Sequence, residues 1–193
     1  LLATVRARSA AVAAQLQGKQ PAQATLDAVK QAIDKAGAAE EATRGDLDSN
    51  KAWTDARRTI TDSIDAPLAA SPEKTIERWT GAVTAAVSWV TQVGNASNLI
   101  LDPDLDSFYV MDAIVTKSQN VVASAGLGSD KQLVLNATPD GGSVTERIAL
   151  AAEATTVTAN VDALLAGLKT SYDNTLDAGL KSALNGPATA LGT

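Results

Sequence analysis

The 193-residue chain has no cysteine and no histidine, one methionine, and an aromatic content of only 3%. Without cysteine there is no disulfide, no thiol nucleophile and no thiolate metal site. Without histidine the commonest general base, metal ligand and phosphoacceptor are missing, so the segment is neither a kinase core nor a histidine-dependent enzyme. Any remaining catalytic device would need paired carboxylates or lysine. The acidic residues are instead scattered as helix-surface charges, and Gly141-Gly142 stands alone without a phosphate-loop pattern. The reading is no enzyme, no cofactor and no metal. A formal charge of −6 with no basic stripe also speaks against nucleic acid. No uninterrupted apolar run approaches the roughly 18 residues of a membrane span, and no signal peptide is visible.

What is abundant is small and aliphatic. Hydrophobic residues make up 45% of the chain, so alanine, valine and leucine must do the packing that aromatics do elsewhere. Alanine-rich faces let helices approach closely, which favours a long bundle over a sheet. Leu2, Val5, Val12 and Leu16 form a seam of coiled-coil type with Arg6 and Arg8 off it, interrupted at Gly18-Lys-Gln-Pro21. Leu26, Val29 and Ile33 mark a shorter helix ending near Gly37. A further helix is expected from about Ala39 to Ala66, with Gly45 its weak point. After Pro67–Pro72, with Ser71 as N-cap and Pro72 at the first helical position, Glu73 to Ile100 is the cleanest amphipathic stretch. Phe108, Met111, Val115, Ser118 and Val122 share a face of the next helix, which Gly126 and Gly128 should end. Residues 127–142 look least helical. The last stretch opens with a capping box, Ser143 and Glu146, breaks or kinks at Asp173-Asn174, and continues until Asn185-Gly-Pro187.

One segment is more particular: Leu99-Ile-Leu-Asp-Pro-Asp-Leu-Asp-Ser-Phe-Tyr-Val-Met-Asp112. Pro103 forces Asp102 out of the helical region, while Asp104, Asp106 and Ser107 suit the start of a new helix, so a tight reversal with acidic caps is expected. Asp102-x-Asp104-x-Asp106 has the spacing of a calcium loop. The sixth position is Ser107 and the twelfth Ala113, which removes the required glycine and glutamate.

This segment resembles the LDPDLDSYYLMD signature of the all-helical extracytoplasmic sensor regions of bacterial transmembrane receptors, among them methyl-accepting chemotaxis proteins, histidine kinases and diguanylate cyclases. Phe108 replaces its commoner tyrosine and Val110 its leucine. Leu101, Asp102, Pro103, Asp106, Ser107, Tyr109, Met111 and Asp112 carry the match. The resemblance implies a single helical sensor domain over 1–193, flanked by transmembrane helices and working as a homodimer outside the cytoplasm. Its ligand would be a small organic acid or amino acid, or else a periplasmic or extracellular partner protein. Size fits either one long antiparallel bundle or two stacked four-helix bundles sharing long helices, and the second is favoured. Arg57, Arg58 and Arg78 are the candidate carboxylate-binding residues, with Trp79 as an apolar wall. Tyr109 and Asp112 form a polar stripe on the helix after the reversal. The competing account of these residues is ordinary pairing on helix surfaces. The competing account of the chain is a structural or partner-binding bundle with no small-molecule site.

Overall fold

The helix boundaries follow local chemistry at some ends and tertiary contacts at others. In the computed structural model, residues 1–43 and 46–191 are described, the side chains of 185 and 187–191 excepted. Helices are α1 (Leu2–Gln15), α2 (Gln23–Ala42), α3 (Asn50–Asp65), α4 (Pro72–Ala96), α5 (Leu105–Asp112), α6 (Ser118–Ala137), α7 (Val144–Asn174) and α8 (Ala178–Leu191). A single π turn, Ala113–Lys117, fuses α5 to α6. The expected all-α, up-and-down bundle is what forms.

Two starts are capped as their sequence requires. Ser71 accepts a hydrogen bond from the Lys74 N–H ahead of Pro72, and Ser143 with Glu146 closes a reciprocal capping box on α7. These bonds occupy backbone donors that a helix start leaves free. Glu146 is held below the usual carboxylate range by the Ser143 hydroxyl and backbone N–H.

Several expected stops are not stops. α2 runs through Gly37, and the chain breaks instead between Ala42 and Asn50; Gly45 itself lies outside the described residues. α6 runs through Gly126 and Gly128 and takes in residues 131–135, so the supposedly least helical region is mostly helix. Gly126 is there for proximity: a Cβ at this position would sit 2.5 Å from Val5 Cγ1. α8 continues past Gly186-Pro187 to Leu191, and nothing among the described side chains explains it. The break after Asp173-Asn174 occurs where the sequence placed it.

α1 to α4 pack in a ring, each on the next, with α4 closing on α1. Its interior is filled by Ala7, Ala11, Val29, Ile60, Ile64 and Trp79, with Ala82 and Ala86. Small residues dominate, so the remaining opening inside the ring is only about 40 Å³. The α5–α6 helix returns antiparallel to α4, with Val115 against Gly94 and Val134 near Ile76. α6 therefore lies beside α1 and α4, and the helices are shared sideways between the ring and a second layer. α7 runs back along α6, and α8 folds down onto α7, where Leu184 joins Ala113, Leu164 and Leu168.

α7 qualifies by length and composition as a helix able to cross a membrane, although Glu153, Asn160 and Asp162 interrupt it; 6% of its most apolar window is buried. On its first half, Val144 is 63% and Ile148 64% exposed. The uninterrupted-run criterion applied to the sequence passes over such a helix.

Candidate functional site

The residues singled out from the sequence fall into three neighbourhoods. Arg57 and Arg58 are exposed on α3; Arg58 pairs with Asp55 at 3.1 Å. Arg78, on α4, donates to the Pro67 carbonyl at 2.8 Å and so clamps the α3–α4 connection. Trp79 is 2% exposed in the ring core, which corrects its expected role as a ligand-facing wall. Arg78 and Trp79 do line one opening beside Pro67, but at about 20 Å³ it has room for little more than a water.

Tyr109 and Asp112 meet a shared cation. Asp112 pairs with Lys117 at 2.7 Å, both side chains being largely buried, and Lys117 Nζ lies 5.6 Å above the centre of the Tyr109 ring. Phe108 stands edge-on to Tyr109. The polar stripe is thus turned onto the π turn and α7, where Tyr109 and Lys117 pack against Gly167.

The rest of the signature builds the reversal. Asp102 is extended and accepts from the Asp104 N–H at 3.0 Å, a turn made by side chain and backbone together. Asp104 occupies the N-cap position of α5 but its side chain makes no capping bond, which corrects the expectation of a string of acidic caps. The Asp106 carboxylate accepts from the Ser107 N–H, and the Ser171 hydroxyl donates to the Asp106 carbonyl at 2.8 Å. The Thr175 hydroxyl, then the Ser107 N–H, hold the Asp106 carboxyl below its ordinary range. Met111 is buried and Pro103 exposed, while Leu101 is 70% exposed. The reversal is therefore bonded to the end of α7. Among the described residues no group of three potential acidic ligands could hold a metal ion.

Arg57 belongs to the most structured groove. Between α2 and α3 a cleft of about 450 Å³ is lined by Ile33, Asp34, Gly37, Glu40, Trp53 and Arg57, among others. Glu40 is 6% exposed and accepts from the Ser49 hydroxyl at 2.8 Å and the Trp89 indole N–H at 3.0 Å. Trp53 and Trp89 stack obliquely, 4.8 Å between ring centres. The cleft thus joins α2, α3 and α4 through one carboxylate and two indoles, with a guanidinium at its mouth. Gly37 permits this, since a Cβ there would come within 3.2 Å of the Trp53 ring.

Sequence reading missed three buried charges, Arg8, Asp130 and Glu40. Arg8, placed off the seam, is 1% exposed; it donates to Asp130 at 2.6 Å, to the Thr80 hydroxyl at 3.3 Å and to the Ala123 carbonyl at 3.2 Å. The signal was present: Arg8 is three residues after Val5 and four before Val12, on the buried stripe itself. Glu40 carried no comparable signal. Compared with known protein families, curated proteins and solved structures, the chain shows no match.

Proposed function

We propose that the chain is the extracytoplasmic ligand-binding domain of a transmembrane signalling receptor of the chemoreceptor or sensor-kinase kind, flanked by membrane helices, working as a homodimer and without enzymatic activity. The observation that carries this reading is the Leu101–Asp112 segment. It resembles a receptor signature, and it forms a reversal that is hydrogen-bonded to the end of a distant helix, through Ser171 and Thr175. The α2–α3 cleft is the proposed ligand site. Arg57 offers a carboxylate-binding fork and Asp34 an opposing charge, so a small organic acid or an amino acid is the proposed ligand. Occupancy that moves α2 against α3 reaches α4 through Glu40 and the two tryptophans. α4 ends at the reversal, and the reversal holds α7. Packed helices respond to such a push by small displacements between discrete packings.

The test is thermal unfolding of the purified domain against a panel of organic acids and amino acids. A ligand at a hundred times its dissociation constant adds about 2.7 kcal/mol, and Arg57→Ala should abolish the shift. Arg78→Ala is a poorer probe, since it releases the Pro67 clamp. A flat panel would refute direct small-molecule sensing in this cleft.

A second reading is favoured by two specific observations, the tightly filled ring and the exposed leucines of the reversal. Leu99 is 49%, Leu101 70% and Leu105 52% exposed, and Leu176 beyond α7 is fully exposed. In that reading the domain is a structural or partner-binding bundle and the apolar tip is its contact. Loss of partner binding in a Leu101→Ser/Leu105→Ser variant, with ligand shifts absent throughout, would decide for it.

A further inference from the structure

At the end of the rod opposite the reversal, α4, α6 and α7 leave an opening of about 210 Å³ that shares no residue with the α2–α3 cleft. Its floor is Ile76, Val134 and Leu135, one from α4 and two from α6, with the exposed Ala149 of α7 at its edge. These are apolar side chains on three separate helices. A dry cavity of roughly 150 Å³ with such walls holds a benzene ring. This opening, of about 210 Å³ and in contact with solvent at its rim, has room for a single ring with a short tail.

The rim is not neutral. Its one cation, Lys131, is already bonded to Glu153 at 2.7 Å. Glu146 uses only Oε2 in capping α7, and the Ser143 hydroxyl and N–H hold its carboxyl below the usual range. Glu73, exposed on the first turn of α4, has no hydrogen-bond or ion-pair partner among the described residues. Lys74 beside it is bonded to Glu77 at 2.6 Å, and Arg147 is turned to the Gly142 carbonyl at 2.7 Å. Every nearby cation is engaged and one carboxylate is not. A ligand carrying its own positive charge gains a partner here, whereas an anionic ligand has to displace Glu153 from Lys131.

We infer that this opening is a binding site for a small amphiphilic cation, an aryl- or branched alkyl-substituted primary amine, with the hydrocarbon on Ile76, Val134 and Leu135 and the ammonium at Glu73. The site is independent of the receptor reading, which concerns a different cleft and ligands of opposite character.

The experiment is a titration of the intact chain with 2-phenylethylamine and, in parallel, with 3-phenylpropionate, a near-isostere of opposite charge, followed by amide chemical shifts. The amine should perturb residues around 73–76, 131–135 and 146–149. The carboxylate should bind at least about tenfold more weakly, the tenfold step being one unit of log affinity. Glu73→Gln should weaken the amine by about fivefold, as suits a partly solvated ion pair. Ala149→Phe, an exposed helix position, should fill the opening and remove binding of either probe. Absence of amine-induced shifts in this region at millimolar concentration would overturn the assignment. So would equal binding of amine and carboxylate, or unchanged binding by a folded Ala149→Phe variant.

Discussion

The buried pair of Arg8 and Asp130 makes the sharpest energetic demand on the fold. Both side chains are 1% exposed, and the guanidinium uses all three nitrogens, on Asp130, Thr80 and the Ala123 carbonyl. Asp130 accepts through Oδ2 only; Oδ1 finds no partner among the described residues. The pair therefore compensates its own desolvation incompletely, and its two halves depend on one another. Removing one half leaves a buried charge with nothing opposite it, which costs about 3–5 kcal/mol. Asp130→Ala and Arg8→Met should each lose that much, a large part of the roughly 5–15 kcal/mol that holds a domain together. The double variant Arg8→Met/Asp130→Leu should recover most of the loss, or exceed the parent by about 1–4 kcal/mol, because apolar replacements carry no desolvation cost. Urea unfolding followed by helix ellipticity, on parent, both single variants and the double, measures the coupling directly. Single losses under about 1 kcal/mol, or a double variant as unstable as the two single losses added, would refute the reasoning.

Two further expectations come from smaller features. Gly126→Ala places a Cβ 2.5 Å from Val5 Cγ1 and 2.9 Å from Arg8 Nη2, whereas Gly81→Ala on α4 meets nothing within 4 Å. The first should destabilise by about 1–3 kcal/mol through overpacking; the second should stabilise by about 0.5–1 kcal/mol through helix propensity. Melting temperatures that move in the same direction would contradict the packing at α1 and α6. Asp106 has its carboxyl lowered by the Thr175 hydroxyl and the Ser107 N–H. Its contribution is thus fully present above the unfolded value of about 3.9 and is lost as pH falls through the lower folded value. Asp106→Asn should melt below the parent at neutral pH and converge with it in acid; a gap independent of pH would show that the carboxylate is not what ties α5 to α7.

Much of this architecture was legible in the sequence, and the misreadings share a cause. The capping box at Ser143, the Ser71-Pro72 start, the reversal at Asp102-Pro103 and the end of α7 at Asn174 are set by local chemistry, which a sequence displays directly. Gly37, Gly126 and Gly128 were taken as punctuation because local rules treat glycine so. At Gly37 and Gly126 the residue instead makes room for Trp53 and Val5, partners from other helices. Arg8 went wrong similarly: charge was allowed to override its place on the stripe, and its partner lies 122 residues away. Of the proposed ligand residues, Arg57 lies in a cleft. Trp79 was misjudged because its buried face is defined by α1 and α3, neither of which can be read from its own neighbours.

The π turn between α5 and α6 has a bearing on how length changes are tolerated along this chain. In an unbroken α-helix each residue turns the next by about 100°, so adding or removing one rotates every later side chain off its partner. Ala113–Lys117 is a wider turn, and Gln119 donates its side-chain amide to the Ile114 and Val115 carbonyls that such a turn leaves exposed. The surplus residue is absorbed where it stands. Met111 above and Val134 below can each keep a buried position because the angular phase of the upper segment is set separately from that of the lower, and this junction is where the rod has slack in its indexing.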